Sequence, residues 1–231
     1  MGRCTAHREC AAQIAGEGET QLLKAVIFDY GLVLTGPQSP KAIDAALRIT
    51  GLIRERFDQL YWEDRHAYDE GNLTGLSYWK KILTEAGLNP GPELIKEMIY
   101  LDGRMWLTEN AAMLRWQERL KAAGLKTAIL SNMGDLVQME IERSCKWLTR
   151  FDVQVWSNQL RIAKPDPRIY MHTVARLSVF PEEILFLDDR LVNVQAARRL
   201  GMRSLVFSTM NQLERDIASA GMDCELPGVC A

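Results

Sequence analysis

From Thr108 onward the chain alternates short apolar runs with stretches of helical periodicity, a pattern that few architectures tolerate. The first of these helices has Thr108 as its N-cap, aligns Met113, Trp116, Leu120 and Ala123 on one face, and ends at Gly124. Strands are then predicted over 127–130, 153–156, 184–187 and 204–207, separated by helices from about residue 135, over 167–177 and over 191–200. One further strand lies upstream, where Ala25, Val26, Ile27 and Phe28 run straight into a carboxylate, Asp29. Runs this apolar belong to strands covered on both faces, and βα alternation makes those strands parallel. The predicted class is therefore α/β, a Rossmann-like three-layer parallel sheet.

Between the first strand and the rest, over roughly 37–103, every periodic segment is helical. Ile43, Ala46, Leu47 and Thr50 keep helix spacing up to Gly51, and Phe57, Leu60 and Tyr61 form a second group. Leu76, Trp79, Ile82, Leu83 and Ala86 run to Gly87, and Pro92 opens a fourth helix through Leu94, Met98 and Leu101. Four helices without a strand read as a small all-helical cap domain. The expected organisation is a loose polar tail over 1–20, a core made of 21–36 and 104–231, and the cap over 37–103. Linkers near 35–40 and 102–107, with Gly36 and Gly103 as hinge points, would let the cap move. The aromatics Tyr61, Trp62, Tyr68, Tyr78 and Trp79 are expected in the cap's own core.

Composition narrows the function classes. Of the 231 residues 47% are hydrophobic, enough for a substantial core, and a formal charge of −2 leaves no electrostatic footprint for nucleic acid or an anionic membrane. Five scattered cysteines without a CxxC pair argue against a disulfide framework and a structural zinc site, which suits a reducing, cytoplasmic setting. The first 20 residues contain no apolar h-region, and neither end carries a lipidation motif. His7, His66 and His172 belong to no motif, and nothing in the sequence encodes an oligomeric state.

The chemistry concentrates where strands end. Asp29 closes the first strand, Ser131 and Asn132 the second, and Asp188 and Asp189 the fourth, while RIAKPDPRIY after the third presents Lys164. The C-terminal edge of an open α/β sheet is where ligands bind. Singly, each of these residues has a plain role as a helix cap or a solvated loop residue. Together at one edge, a hydroxyl, a lysine and three carboxylates supply what phosphoryl transfer needs: a nucleophile, donors for phosphoryl oxygens and a Mg²⁺ site.

These residues resemble the four motifs, in their usual order, of the haloacid dehalogenase superfamily of hydrolases, and the helical insert falls where that family carries its cap. The similarity is to the phosphatase-like branch that includes glucose-1-phosphatases and the N-terminal domain of soluble epoxide hydrolases. It implies that Asp29 attacks phosphorus and becomes an aspartyl phosphate, that Ser131 and Asn132 hold phosphoryl oxygens, and that Lys164 neutralises charge. It also implies Mg²⁺ bridging Asp29 and Asp189, with the main-chain carbonyl of Gly31 as a further ligand and Asp188 as support or an extra ligand. The chain departs from the family at Gly31, where an acid/base aspartate is usual, and at Leu32, where glycine is common. General acid–base help is worth ~10²- to 10⁴-fold. A cap residue such as His66, Glu63 or Asp64, water, or a good leaving group would have to compensate. The expected activity is that of a Mg²⁺-dependent phosphatase acting on a small phosphorylated metabolite. Two alternatives stand beside it: a phosphometabolite-binding or regulatory protein with weak catalysis, and a 2-haloacid dehalogenase.

Overall fold

The computed structural model describes residues 22–229. Five parallel strands form one sheet in the order β3-β2-β1-β4-β5: β1 Ala25–Phe28, β2 Lys126–Ser131, β3 Val153–Trp156, β4 Ile184–Asp188 and β5 Arg203–Val206. Successive side chains of a strand point to opposite faces. Val26, Phe28, Ile129, Leu185 and Leu187 therefore enter one apolar cluster, and Ala25, Ile27, Ala128, Leu130, Ile184 and Phe186 enter another. The helices Pro167–Leu177 and Leu191–Arg199 cover the second face through Ile169, Tyr170, Val174, Leu177, Ala196 and Ala197. On the first face lie Trp116 and Leu120 of Ala111–Ala122 and Leu213 and Ile217 of Met210–Ser219. Because the chain winds outward from β1 to β3 and then returns to the other side of β1, the winding reverses at β1, the place where such sheets open a crevice.

The insert holds five helices: α1 Pro40–Thr50, α2 Arg54–Glu63, α3 Arg65–Asp69, α4 Gly75–Glu85 and α5 Pro92–Met105. The expectation of four missed α3, whose five residues are too few to show a period. α5 also continues through Gly103 instead of ending there, and it packs on α7, Asp135–Ser144 (α6 being Ala111–Ala122).

Gly103 is consequently not a hinge. It is buried inside α5, and a methyl group there would run into the Glu140 side chain of α7. Two more glycines permit the same close docking: Gly75 lies against Leu136, and Gly134 lies against the ring of Tyr68. Tyr61 and Trp79 of the insert share one continuous apolar cluster with Trp116, Ile129 and Leu187 of the sheet layer. The two linkers are also tied to each other, Gly36 N donating to Thr108 O (2.7 Å) and Ser39 N to Met105 O (2.9 Å). Thr108 thus spends its carbonyl on the opposite linker. The helix it was expected to cap is capped by Asn110, whose side chain accepts from Met113 N at 3.3 Å.

Among the described residues no helix is long and apolar enough to cross a membrane. Cys145 is buried and free, whereas Cys224 is disulfide-bonded, a departure from the cysteine reading. The polar tail, with Cys4, Cys10 and His7, lies outside the described residues, as does Cys230.

Candidate active site

Strand register builds the centre. Phe28 of β1 pairs with Leu187 of β4, so the next residues, Asp29 and Asp188, emerge side by side, and Asp189 follows. One carboxylate oxygen from each of the three lies within 4.8 Å of the others. Lys164 stands between two of them, its Nζ 2.8 Å from Asp29 Oδ1 and 2.7 Å from Asp188 Oδ2. It is only 2% exposed. Burial alone would lower the lysine pKa, but Asp188 and Asp29 outweigh it and hold the ammonium above its ordinary range. Burial raises Asp29, Lys164 offsets part of that, and Asp188 and Asp189 add to it, leaving the carboxyl pushed up to about 7. Asp189 is raised by burial and by Asp188.

The neighbouring side chains take distinct parts. Asp188 is fully buried and committed: Oδ1 accepts from Arg190 N and Asn193 Nδ2 (both 2.9 Å), and Oδ2 from Lys164 and again from Asn193 (3.1 Å). Asp189 is half-buried and lines the open cavity. Asn132 lines the cavity, and its side-chain amide is engaged with the lysine loop. Its Nδ2 donates to Lys164 O (2.9 Å) and its Oδ1 accepts from Lys164 N (2.8 Å), so both ends of the amide hold the lysine loop in place. Ser131 Oγ has only a long 3.4 Å bond to Asn132 O and remains available. Gly31 has ordinary extended angles (φ −67°, ψ 136°), and the left-handed residue of the turn is Leu32 (φ 59°). Trp106 packs over Gly31, 3.4 Å from where a β-carbon would sit.

The cavity, about 160 Å³, brings Asp29, Gly31, Ser131, Asn132, Lys164 and Asp189 of the sheet edge under Trp62, Arg65 and Asp69 of the insert, with Trp106 and Asn193 at its sides. A larger cleft of about 410 Å³ lies at the opposite strand ends, around Leu23, Lys126 and Glu225, and gathers none of this chemistry. A divalent cation suits the centre. Three carboxylates face a single ammonium, an all-oxygen donor set of the kind hard cations take. Beside them, Asn193 Oδ1 is a buried acceptor with no partner among the described residues.

Residues 23–201 match the haloacid dehalogenase-like hydrolase family. The chain belongs to the haloacid dehalogenase-like hydrolases. Over 190 residues it is 28% identical to a phosphorylated carbohydrates phosphatase of Thermotoga maritima, covering 79% of this chain and 84% of that one. Over 208 residues it is 29% identical to the phosphatase MT3486 of Mycobacterium tuberculosis, covering 86% and 95%. Among solved structures, the fold resembles the HAD family enzyme bt-2542 of Bacteroides thetaiotaomicron (TM-score 0.69, 19% identity, 81% of this chain and 95% of that one). It also resembles an L-2-haloacid dehalogenase of Xanthobacter autotrophicus (TM-score 0.62, 22% identity, 87% and 84%). At these identities the structural likeness speaks for the fold alone.

In this haloacid dehalogenase-like hydrolase, sequence reasoning brought Asp29, Ser131, Lys164, Asp188 and Asp189 to one place and missed the roof. His66, Glu63 and Asp64, the cap residues named as one of the ways to compensate for the absent aspartate, do not line the cavity, and Asp64 is paired with Lys81. Arg65 and Asp69 do, although neither belongs to a motif. Asn193 carried one faint signal, its place five residues after Asp188 in the first turn of the following helix.

Proposed function

We propose that this hydrolase is a Mg²⁺-dependent phosphatase that cleaves a small phosphorylated metabolite through an aspartyl-phosphate intermediate, with the helical insert as its cap. The carrying observation is the cluster of Asp29, Asp188 and Asp189 with one ammonium among them, a charge balance that calls for a cation. The phosphatase relatives support the reading, as does the magnesium complex of the bt-2542 fold neighbour. When bound, Mg²⁺ would be held by Asp29, Asp189 and the Gly31 carbonyl, supported by Asp188, and would neutralise charge on the phosphoryl oxygens.

Asp29 Oδ1 accepts from Tyr30 N (2.7 Å) and Lys164, which orients the carboxylate and leaves Oδ2 without a donor among the described residues. Oδ2 is the oxygen free to attack phosphorus as the bond to the leaving oxygen breaks. Lys164 and the Ser131 hydroxyl would hold phosphoryl oxygens as charge moves onto them. Water then cleaves the acyl phosphate, releasing phosphate and restoring Asp29. The dehalogenase alternative attacks carbon without a metal, and the clustered carboxylates would repel an anionic haloacid.

A panel of metabolite phosphates, assayed with Mg²⁺ and with chelator, tests the reading. Turnover should require the metal. Asp29→Asn should abolish phosphate release in a folded protein, and Asp189→Asn should chiefly raise the Mg²⁺ requirement. Chelator-resistant turnover, or a substantial residual rate in Asp29→Asn, would refute it.

A further inference from the structure

Arg65 is 4% exposed and sits among the rings of Tyr61 (4.9 Å), Tyr68 (5.4 Å), Trp106 (5.9 Å) and Trp62 (6.0 Å). Its Nε donates to Asp69 Oδ1 (2.8 Å), and Nη1 donates to Tyr61 Oη and to Asp102 Oδ1 (3.1 Å). Asp102 is fully buried and also accepts from Tyr61 Oη (2.7 Å) and Trp79 Nε1 (3.2 Å). Those bonds fix the guanidinium plane. Tyr78 lies within hydrogen-bonding reach of the same side chain, so four acceptors meet its five N–H groups and one N–H is left over, on a side chain that forms part of the cavity roof. Arg65 remains charged, because Asp69, Tyr61 and Asp102 outweigh the effect of burial.

Charge then decides what this donor can take. Two carboxylates, Asp69 and Asp102, are bonded to one guanidinium, so the roof has a positively polarised N–H but no net positive charge. A second anion on a substrate would gain one hydrogen bond while facing two buried carboxylates. A neutral oxygen would gain the bond without the repulsion. Asp69, also in the cavity lining, offers an acceptor to the same hydroxyl-bearing group. Half-exposed Trp62 and the Trp106 ring supply an apolar wall. The volume sets the reach. A closed cavity of about 150 Å³ holds a benzene molecule. A cavity of about 160 Å³ therefore takes the phosphoryl group and only the first few atoms beyond it.

We infer that Arg65 is a substrate-contacting specificity residue whose remaining N–H, with Asp69, selects phosphomonoesters bearing a neutral hydroxylated leaving group and rejects those carrying a second anion. This rests on the phosphatase reading of the same site, and its test separates the two. Binding of three unreactive probes to the Mg²⁺-loaded protein is measured by calorimetry: propylphosphonate, 2,3-dihydroxypropylphosphonate and 2-carboxyethylphosphonate. The dihydroxypropyl probe should bind at least about tenfold more tightly than the propyl probe, and the carboxyethyl probe no more tightly than the propyl probe. In Arg65→Gln the dihydroxypropyl preference should shrink below about threefold. If that variant does not fold, Arg65→Lys, which keeps the charge but loses the fork, should show the same collapse. A tightest carboxyethyl probe, no preference among the three, or a preference that survives in the folded variants would overturn the assignment. Hydrolysis of 4-nitrophenyl phosphate by the same wild-type preparation reports separately on the phosphatase reading, since its failure leaves the probe ranking to be judged by itself.

Discussion

Restoring a carboxylate at position 31 should convert an enzyme that depends on its substrate's leaving group into one that does not. Gly31 has φ −67° and ψ 136°, angles open to any residue, so Gly31→Asp brings no backbone strain. The new β-carbon would lie 3.4 and 3.8 Å from Cζ3 and Cε3 of Trp106, which is ordinary contact. The carboxyl beyond it must slide along an indole anchored through Nε1 to Tyr61 Oη at 3.1 Å, so overpacking of about 1–3 kcal/mol is expected. A fourth carboxyl beside Asp29, Asp188 and Asp189 would be pushed toward its protonated form, the state in which an acid serves a departing oxygen. The gain available is ~10²- to 10⁴-fold, or roughly 3–5 kcal/mol of barrier. The assay is kcat/KM over a series from 4-nitrophenyl through phenyl to simple alkyl phosphates, with Tm measured in parallel. Wild type should fall steeply along that series, and the variant should recover most at the alkyl end and little at the nitrophenyl end. A stable variant with the same gain at both ends, or none, would show that the leaving oxygen already receives its proton from another group.

Three further outcomes follow from the site's electrostatics and from the docking of the insert. Burial pushes the Asp29 carboxyl up to about 7 in the fold against 3.8 ordinarily, so between those values the folded state holds more protons than the unfolded one, and metal-free stability should fall as pH rises through that window. Mg²⁺ binding near the middle of the window should release up to about one proton, seen as a binding enthalpy that varies with buffer ionisation enthalpy; a buffer-independent enthalpy would contradict this. Gly134→Ala should drive a methyl into the Tyr68 ring and lower Tm by roughly 2–12 °C. An unchanged Tm would mean that the insert is not seated on the sheet layer as described.

What the sequence determined by itself was whatever depends on near neighbours. Short apolar runs leading into Asp29, Ser131 and Asp188 declare strands and the polar groups at their tips, and βα alternation makes those strands parallel, so the tips must share one edge. Only the tertiary structure decided which groups touch. That Asn132 spends its amide on Lys164, 32 residues away, is a matter of how two loops meet, and no period in either segment encodes it. The same holds for Arg65 bonded to Asp102, 37 residues on, and for Gly103, whose place inside a helix against Glu140 turned an expected hinge into a packing contact. Local pattern governs backbone conformation because that conformation is a property of a few adjacent residues. The roof of the cavity is made of contacts between segments, and those are chosen by the packing of the whole chain.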